Sequence, residues 1–194
     1  MADPESPADI ERPEGGGIRQ QIADAIPGQE EQYWSLGQQF GAVYESGAVI
    51  TDGSPLVAST VSDYRPTAHP GAHAPHVWLE SPTGGRVSTI DPPHTRFVVL
   101  APAAGRAWVD AAREVAAAHG TEIGGFTIGA GGDYTDPGGS WAELYGLGDT
   151  GVVVVRPDGH VAFRAASLEA DRSPGAVLDE VFGRLLGTAP RLSH

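Results

Sequence analysis

The chain contains no cysteine among its 194 residues. Disulfides, thiolate nucleophiles and Cys-ligated zinc or iron–sulfur centres are therefore excluded. Lysine is missing too: all 12 basic residues are arginine. That rules out a phosphate-binding loop of the G-x-x-x-x-G-K type and a Schiff-base lysine. Aromatic residues are sparse, and no apolar run approaches the roughly 20 residues that a membrane-spanning helix needs. The opening stretch "MADPESPADIERPEGGG" has neither the basic nor the apolar region of a secretory signal. A cytoplasmic protein with no membrane partner is expected.

Acid, glycine and proline are plentiful instead. The net charge of −13 opposes nucleic-acid backbones and anionic lipid surfaces, which both reward basic patches. Eight acidic residues fall between Met1 and Glu31, and residues 1–17 read as a disordered acidic tail, solvated rather than docked. Residues 18–41 follow as an amphipathic helical segment. Ile18, Ile22 and Ala25 share one face, Tyr33, Leu36 and Phe40 another, and Pro27-Gly28 breaks the two pieces apart.

Residues 42–90 read as an extended, loop-rich strap. "GAVYESGAVITDGSP" suggests two short β-like pieces around Gly47 and a turn at Asp52-Gly53. Three prolines in "DYRPTAHPGAHAPHVWL" forbid a regular helix, so this stretch should run extended across the surface, anchored by Trp78 and Leu79.

Residues 91–188 carry the compact pattern. "TRFVVLAP" is a buried central strand, and "TEIGGFTIGA" a second strand. Between them "GRAWVDAAREVAAAHG" is a helix with Trp108, Ala112, Val115 and Ala116 on its stripe, ended by Gly120. "SWAELYGLG" is a short helix with Ser140 as its N-cap. "GVVVVRP" and "HVAFRA" flank Asp158-Gly159, a strong hairpin signal. Val152 to Val155 is apolar on both faces and thus interior. The next strand places Val161 and Phe163 on one side and suits an edge. A last helix aligns Val177, Leu178, Val181, Leu185 and Leu186. The order β-α-β-α-β-β-α predicts an α/β, thioredoxin-like fold: a mixed four-stranded sheet with helices on both faces, plus the N-terminal helical extension.

Two resemblances follow. "YGLGDTGVVVVRPDGHVAF" (Tyr145 to Phe163) is similar to the last helix-and-hairpin segment of thioredoxins. The redox equipment is absent: "APAAGRAW" (Ala101 to Trp108) stands where C-x-x-C would open the first long helix, and Gly151 stands in place of the cis-proline. A closer resemblance is to the C-terminal part of flavin-dependent aromatic hydroxylases, the class A monooxygenases of phenols and polyketide aromatics. It is carried by Tyr64 to Leu79 ("YRPTAHPGAHAPHVWL"), by "TRFVVLAP", by "GVVVVRPDGHVAFRA" and by the upstream "QQFGAVYESGAVITDG". It implies a structural domain whose relatives bind FAD elsewhere, so no cofactor is expected here. The implied partner is a flavoprotein hydroxylase or a second copy of the chain.

Candidate chemistry is thin, and no catalytic, cofactor-binding or metal-binding residue is assigned. His69, His73 and His76 are close in sequence, but Pro70 and Pro75 prevent the helix that would align them on a metal. They are read as strap histidines bonding to backbone. "GAGGDY" (Gly129 to Tyr134) imitates a dinucleotide fingerprint without the third glycine or a following helix. Asp133 and Asp136 read as part of a solvated turn. The alternative is an accessory oxygenase, a cyclase-like enzyme or a small-molecule-binding protein. It would need a pocket between strap and sheet, with Tyr64, Arg65 or His76 as acid–base groups. The amphipathic segment Ile18 to Phe40 and the strap Tyr64 to Leu79 are the expected contact surfaces.

Overall fold

A computed structural model describes residues 15–29, 35–56, 58–91 and 95–188. Nearly all of the acidic tail, together with Tyr33 and Trp34, lies outside the described residues. The chain opens with helix α1 (Gly16–Ala25), a 3₁₀ turn (Pro27–Gln29) and a short helix α2 (Leu36–Phe40). The break falls at Pro27, whose ring has no N–H for the helical ladder.

The core is one four-stranded sheet built from β3 (Phe97–Pro102), β4 (Ile123–Ile128), β5 (Val152–Val155) and β6 (Val161–Ala165), preceded by a small hairpin of β1 (Trp78–Glu80) and β2 (Arg86–Ser88). The large sheet runs β4-β3-β5-β6. β3 and β4 are parallel and linked through helix α3 (Arg106–His119); β5 is antiparallel to both its neighbours. This is the strand–helix–strand unit joined to an antiparallel pair that the sequence pattern predicts. Helix α4 (Trp141–Tyr145) and helix α5 (Pro174–Leu185) complete the elements.

Every valine of β5 is fully buried because the sheet is covered on both faces, as its unbroken apolar run requires. On one face Val152 and Val154 meet Trp108, Ala112 and Val115 of α3 and Leu178 and Phe182 of α5. On the other, Val153 and Val155 meet Trp141 and Tyr145 of α4 together with Ala68, Ala74, Val77 and Leu79. The strap therefore forms half of the second covering layer. Its alanines let the extended backbone lie close to the sheet. Its polar groups are satisfied as burial demands: the Pro75 carbonyl accepts from the Thr89 hydroxyl (2.7 Å) and from the Tyr145 hydroxyl (2.7 Å). Burial pushes the Tyr145 phenol far up, so it remains a donor.

The strap also seals an edge. Gly71 N–H donates to the Val161 carbonyl, Val161 N–H to Ala72, and Ala74 N–H to Gly159. These bonds occupy the outer side of β6 at its first residue, Val161, and of the turn before it.

Several details depart from the sequence reading. Val161 and Phe163 do not share a face. The register shifts between Val154 and Val155, and the bulge at Ala162 turns Phe163 toward α5 while Val161 faces the strap. Trp78 does not anchor the strap: it is 50% exposed, whereas Leu79 beside it is buried, because β1 alternates its side chains. The β-like pieces around Gly47 make no strand; Val43 pairs singly with Ala72 and Ile50 N–H reaches the Ala162 carbonyl. Hairpin β1–β2 was not anticipated, although Thr83-Gly84-Gly85 supplies its turn. At Asp158-Gly159 the loop has three residues: Arg156 N–H bonds His160, Gly159 N–H bonds Arg156, and Gly159 alone takes positive φ, 84°. Ser140 offers α4 no side-chain cap; Asp136 Oδ2 accepts from Trp141 N–H at 2.7 Å instead.

Candidate functional site

The corner where a thioredoxin would hold its sulfurs lies at the start of α3. Ala101 and Gly105 are buried there. Arg106 points back across the end of the sheet and grips Asp133 with two bonds, Nη1 to Oδ2 at 3.0 Å and Nη2 to Oδ1 at 2.8 Å. Asp133 Oδ2 also accepts from Thr127 N–H at 2.8 Å. The Arg106 hydrogen bonds, opposed by partial burial and helped by Thr127, hold the Asp133 carboxyl below its usual range. Asp133 is thus the brace of a built loop and not part of a solvated turn, a correction the sequence could not supply because Arg106 lies 27 positions away. The Thr127 hydroxyl is fully buried and bonded to Asp133, and the Asp133 carboxylate is held in a pair with Arg106, so neither group is offered to a substrate. Gly151, which the thioredoxin resemblance aligns with a cis-proline, packs tightly: a Cβ there would lie 2.6 Å from the Ala166 carbonyl oxygen.

The three strap histidines are each engaged separately. His69 bonds the carbonyls of Pro70 and Ser54, and His73 that of Ala74, as a strap role requires. His76 Nδ1 instead meets the Ser88 hydroxyl at 2.5 Å. A serine–histidine contact can signal an activated nucleophile. Here Ser88 is 4% exposed and its oxygen also accepts from Ile90 N–H, so the contact ties β2 to the strap. Among the described residues no three His, Asp or Glu side chains gather to hold a metal ion.

The acid–base candidates are not brought together. Tyr64 and Arg65 line a space of about 10 Å³ beside Phe40 and His73, room for about one water. His76 lines a separate groove of about 510 Å³ with Trp78, Arg86 and Asp136. Arg65 is paired with Asp63 at 2.9 Å, and burial raises the Tyr64 phenol further from neutrality. The strap–sheet contact is packed with side chains, which leaves the enzymatic alternative without the pocket it would need among the cavities seen in the described residues.

A flavin fits no better at "GAGGDY". The loop closes on itself through Gly129 N–H to Tyr134 and Gly132 N–H to Gly129. The Asp133 carboxylate occupies its inner side, and the next helix starts only at Trp141. A pyrophosphate would meet negative charge and no helix N-terminus.

One polar pair escaped the sequence reading. Arg164 on β6 donates through Nε to Asp52 Oδ2 (2.7 Å) and through Nη2 to Ser54 Oγ (2.7 Å). The two side chains are 13% and 15% exposed. Burial by itself would raise the Asp52 carboxyl, but the bonds from Ser54 and Arg164 outweigh it and lower its pKa. Asp52-Gly53 signalled a turn; its partner 112 residues away left no local trace.

A family model described as "Aromatic-ring hydroxylase, C-terminal" matches residues 67–189. Phenol 2-monooxygenase of Pseudomonas sp. (strain EST1001) is 33% identical over 93% of this chain and 30% of its own length. Tetracenomycin B2 monooxygenase-dioxygenase of Streptomyces olivaceus is 40% identical over 75% of this chain and 26% of its own. Among solved structures, the flavin-dependent monooxygenase PieE in complex with FAD and substrate superposes with a TM-score of 0.75 at 37% identity, across 94% of this chain and 32% of that one. The chain thus spans about 30% of the length of these relatives. The strap, the central strand and the R-P-D-G hairpin, which carried the resemblance in the sequence, all lie largely or wholly inside the matched region, and the chain belongs to the family of aromatic-ring hydroxylase C-terminal domains.

Proposed function

We propose that this chain is a non-catalytic packing module of a flavin-dependent aromatic hydroxylase, stabilising a flavoprotein hydroxylase or pairing with a second copy of itself. One observation carries the reading. The sheet beyond residue 66 is covered on both faces, yet of the apolar side chains described in the segment before it only Val49 and Ile50 are buried, and its helical part leaves apolar side chains outside. Helix α1 buries no residue, and Ile22, Ile26, Leu36 and Phe40 are 45%, 60%, 51% and 44% exposed. Phe40 touches the rings of Tyr64 and His73, but Ile22 and Ile26 are left uncovered among the described residues, which supports a contact elsewhere. The strap Tyr64 to Leu79 is the weaker contact surface, since its apolar residues are spent on the chain's own sheet.

The paired carboxylate, the engaged histidines and the packed strap support a role without bond-making chemistry. Co-expression with the flavin-binding portion of a related hydroxylase, followed by light scattering, tests the proposal. The wild type should form a complex with that portion or a dimer, and Ile22→Asp combined with Ile26→Asp should abolish it while the melting temperature of the isolated chain holds. Unchanged association in the double variant, or stoichiometric flavin on the purified chain, would overturn it.

A further inference from the structure

Strand β4 ends the large sheet on one side, with β3 as its one neighbouring strand. Successive residues of a strand turn their main-chain groups to alternate sides. Thr127 turns its groups outward: its N–H donates to Asp133 Oδ2 at 2.8 Å, and its carbonyl accepts from Tyr134 N–H at 3.1 Å. Ile123 and Gly125 therefore face outward as well. Both are partly exposed, and among the described residues their outward N–H and carbonyl groups have no partner. Upstream, the chain has already turned away at Thr121, whose N–H donates to the Ala116 carbonyl. The open part of this edge is thus two alternate residues, closed at one end by the Asp133 loop.

Such an edge complements itself in one register. About a two-fold axis through Gly124, Ile123 of one copy lies opposite Gly125 of the other, and both pairs exchange N–H and carbonyl bonds. An axis at Gly125 would set Ile123 against the occupied Thr127, and an axis at Ile123 would set Gly125 against residue 121, beyond the strand. At the chosen axis the two Gly124 residues meet at the closer spacing of an antiparallel pair, where no side chain intrudes. Charge fits the same register. Arg96 lies over Gly124, where a Cβ would be 2.9 Å from its Nε. Arg96 and Glu122 are both exposed, and neither has an ion-pair partner among the described residues. Across the axis, Glu122 of the second copy stands diagonal to Gly124 on the same face, at about 7–8 Å, within reach of a long side chain such as Arg96. Symmetry makes this contact twice. We infer that a second copy of this chain pairs antiparallel with β4 and joins the two sheets into one. The inference rests on the second-copy form of the packing role, which supplies the apolar area that so short a contact lacks.

The test follows the full chain by light scattering over a concentration series and by amide hydrogen exchange. The chain should form a dimer, and the Ile123 and Gly125 amides should exchange at least about tenfold more slowly in it than in the dilute monomer. The Thr127 amide, bonded within the chain, should not change. Gly124→Glu opposes two carboxylates at the axis and should raise the dimer Kd by at least about tenfold. In the single chain its carboxylate sits beside Arg96, so melting of the dilute protein should hold. Glu122→Arg and Arg96→Glu should each weaken the dimer several-fold, and the two together should restore it. A monomer at every concentration, a dimer whose Ile123 and Gly125 amides stay unprotected, or a charge swap that restores nothing would each overturn the inference. So would protection that arises only when the flavin-binding portion of a related hydroxylase is added. A dimer lost in Ile22→Asp/Ile26→Asp but indifferent to Gly124→Glu overturns the β4 pairing and leaves the packing role standing.

Discussion

Arg164→Met is the most informative single change to the framework. It leaves the Asp52 carboxylate in a site where that side chain is 15% exposed, with the Ser54 N–H and hydroxyl still donating but no counter-charge. The Asp52 side chain is shielded although the residue as a whole is exposed, so the cost lies between the under ~1 kcal/mol of a surface pair and the ~3–5 kcal/mol of a buried one, at about 2 kcal/mol. For a chain of this size that lowers Tm by about 4–8 °C. Removing the orphaned charge as well, in Asp52→Asn/Arg164→Met, should recover about 1–2 kcal/mol, since no uncompensated ion is left. The pH dependence gives a second check. The folded Asp52 has a pKa below its unfolded value of about 3.9. Its contribution is therefore complete above that value and disappears as pH falls through the lower, folded one. Wild type and Asp52→Asn should differ in stability at neutral pH and converge in acid. Urea unfolding followed by tryptophan fluorescence measures all three variants. A loss under about 1 kcal/mol for Arg164→Met, the behaviour of an exposed pair, would refute the argument that the latch is desolvated.

Four further outcomes are expected. Tyr145→Phe removes one of two donors to the Pro75 carbonyl and should cost about 1 kcal/mol in urea unfolding. Leu79→Ala should cost about 2–5 kcal/mol in the same assay, because Leu79 is core, whereas Trp78→Ala should stay within about 0.5 kcal/mol as a surface change. Asp136→Ala should lose about 1 kcal/mol as a removed helix cap while Ser140→Ala loses almost none, the reverse of what sequence position suggests. Gly151→Ala should lower stability by about 1–3 kcal/mol through its clash with the Ala166 carbonyl, read as a drop in Tm.

The sheet and its helices were legible because their signals are local. Four valines in a row need cover on two sides, a stripe of Trp108, Ala112 and Val115 needs a sheet beneath it, and Ser173-Pro174 starts a helix whose Ser173 side chain accepts from Ala176 N–H. The strap's role was only half legible. Pro66, Pro70 and Pro75 announce an extended chain, but nothing in Ala68, Ala72 and Ala74 announces that they are almost fully buried; alanine fits core and surface alike. The bulge at Ala162 was hidden for a related reason: alternation in the string assumes an unbroken register. Arg106–Asp133 and Asp52–Arg164 depend on pairs distant in sequence, and single residues carry no record of such partners.

The strap leaves the large sheet with unequal flanks. On the β6 flank, residues 71–74 take the main-chain groups of Gly159 and Val161, and Ile50 takes the Ala162 carbonyl; on the β4 flank, pairing beyond β3 is confined among the described residues to Ile128 with Tyr134. A guest strand would therefore meet occupied partners at the start of β6 and open ones along β4.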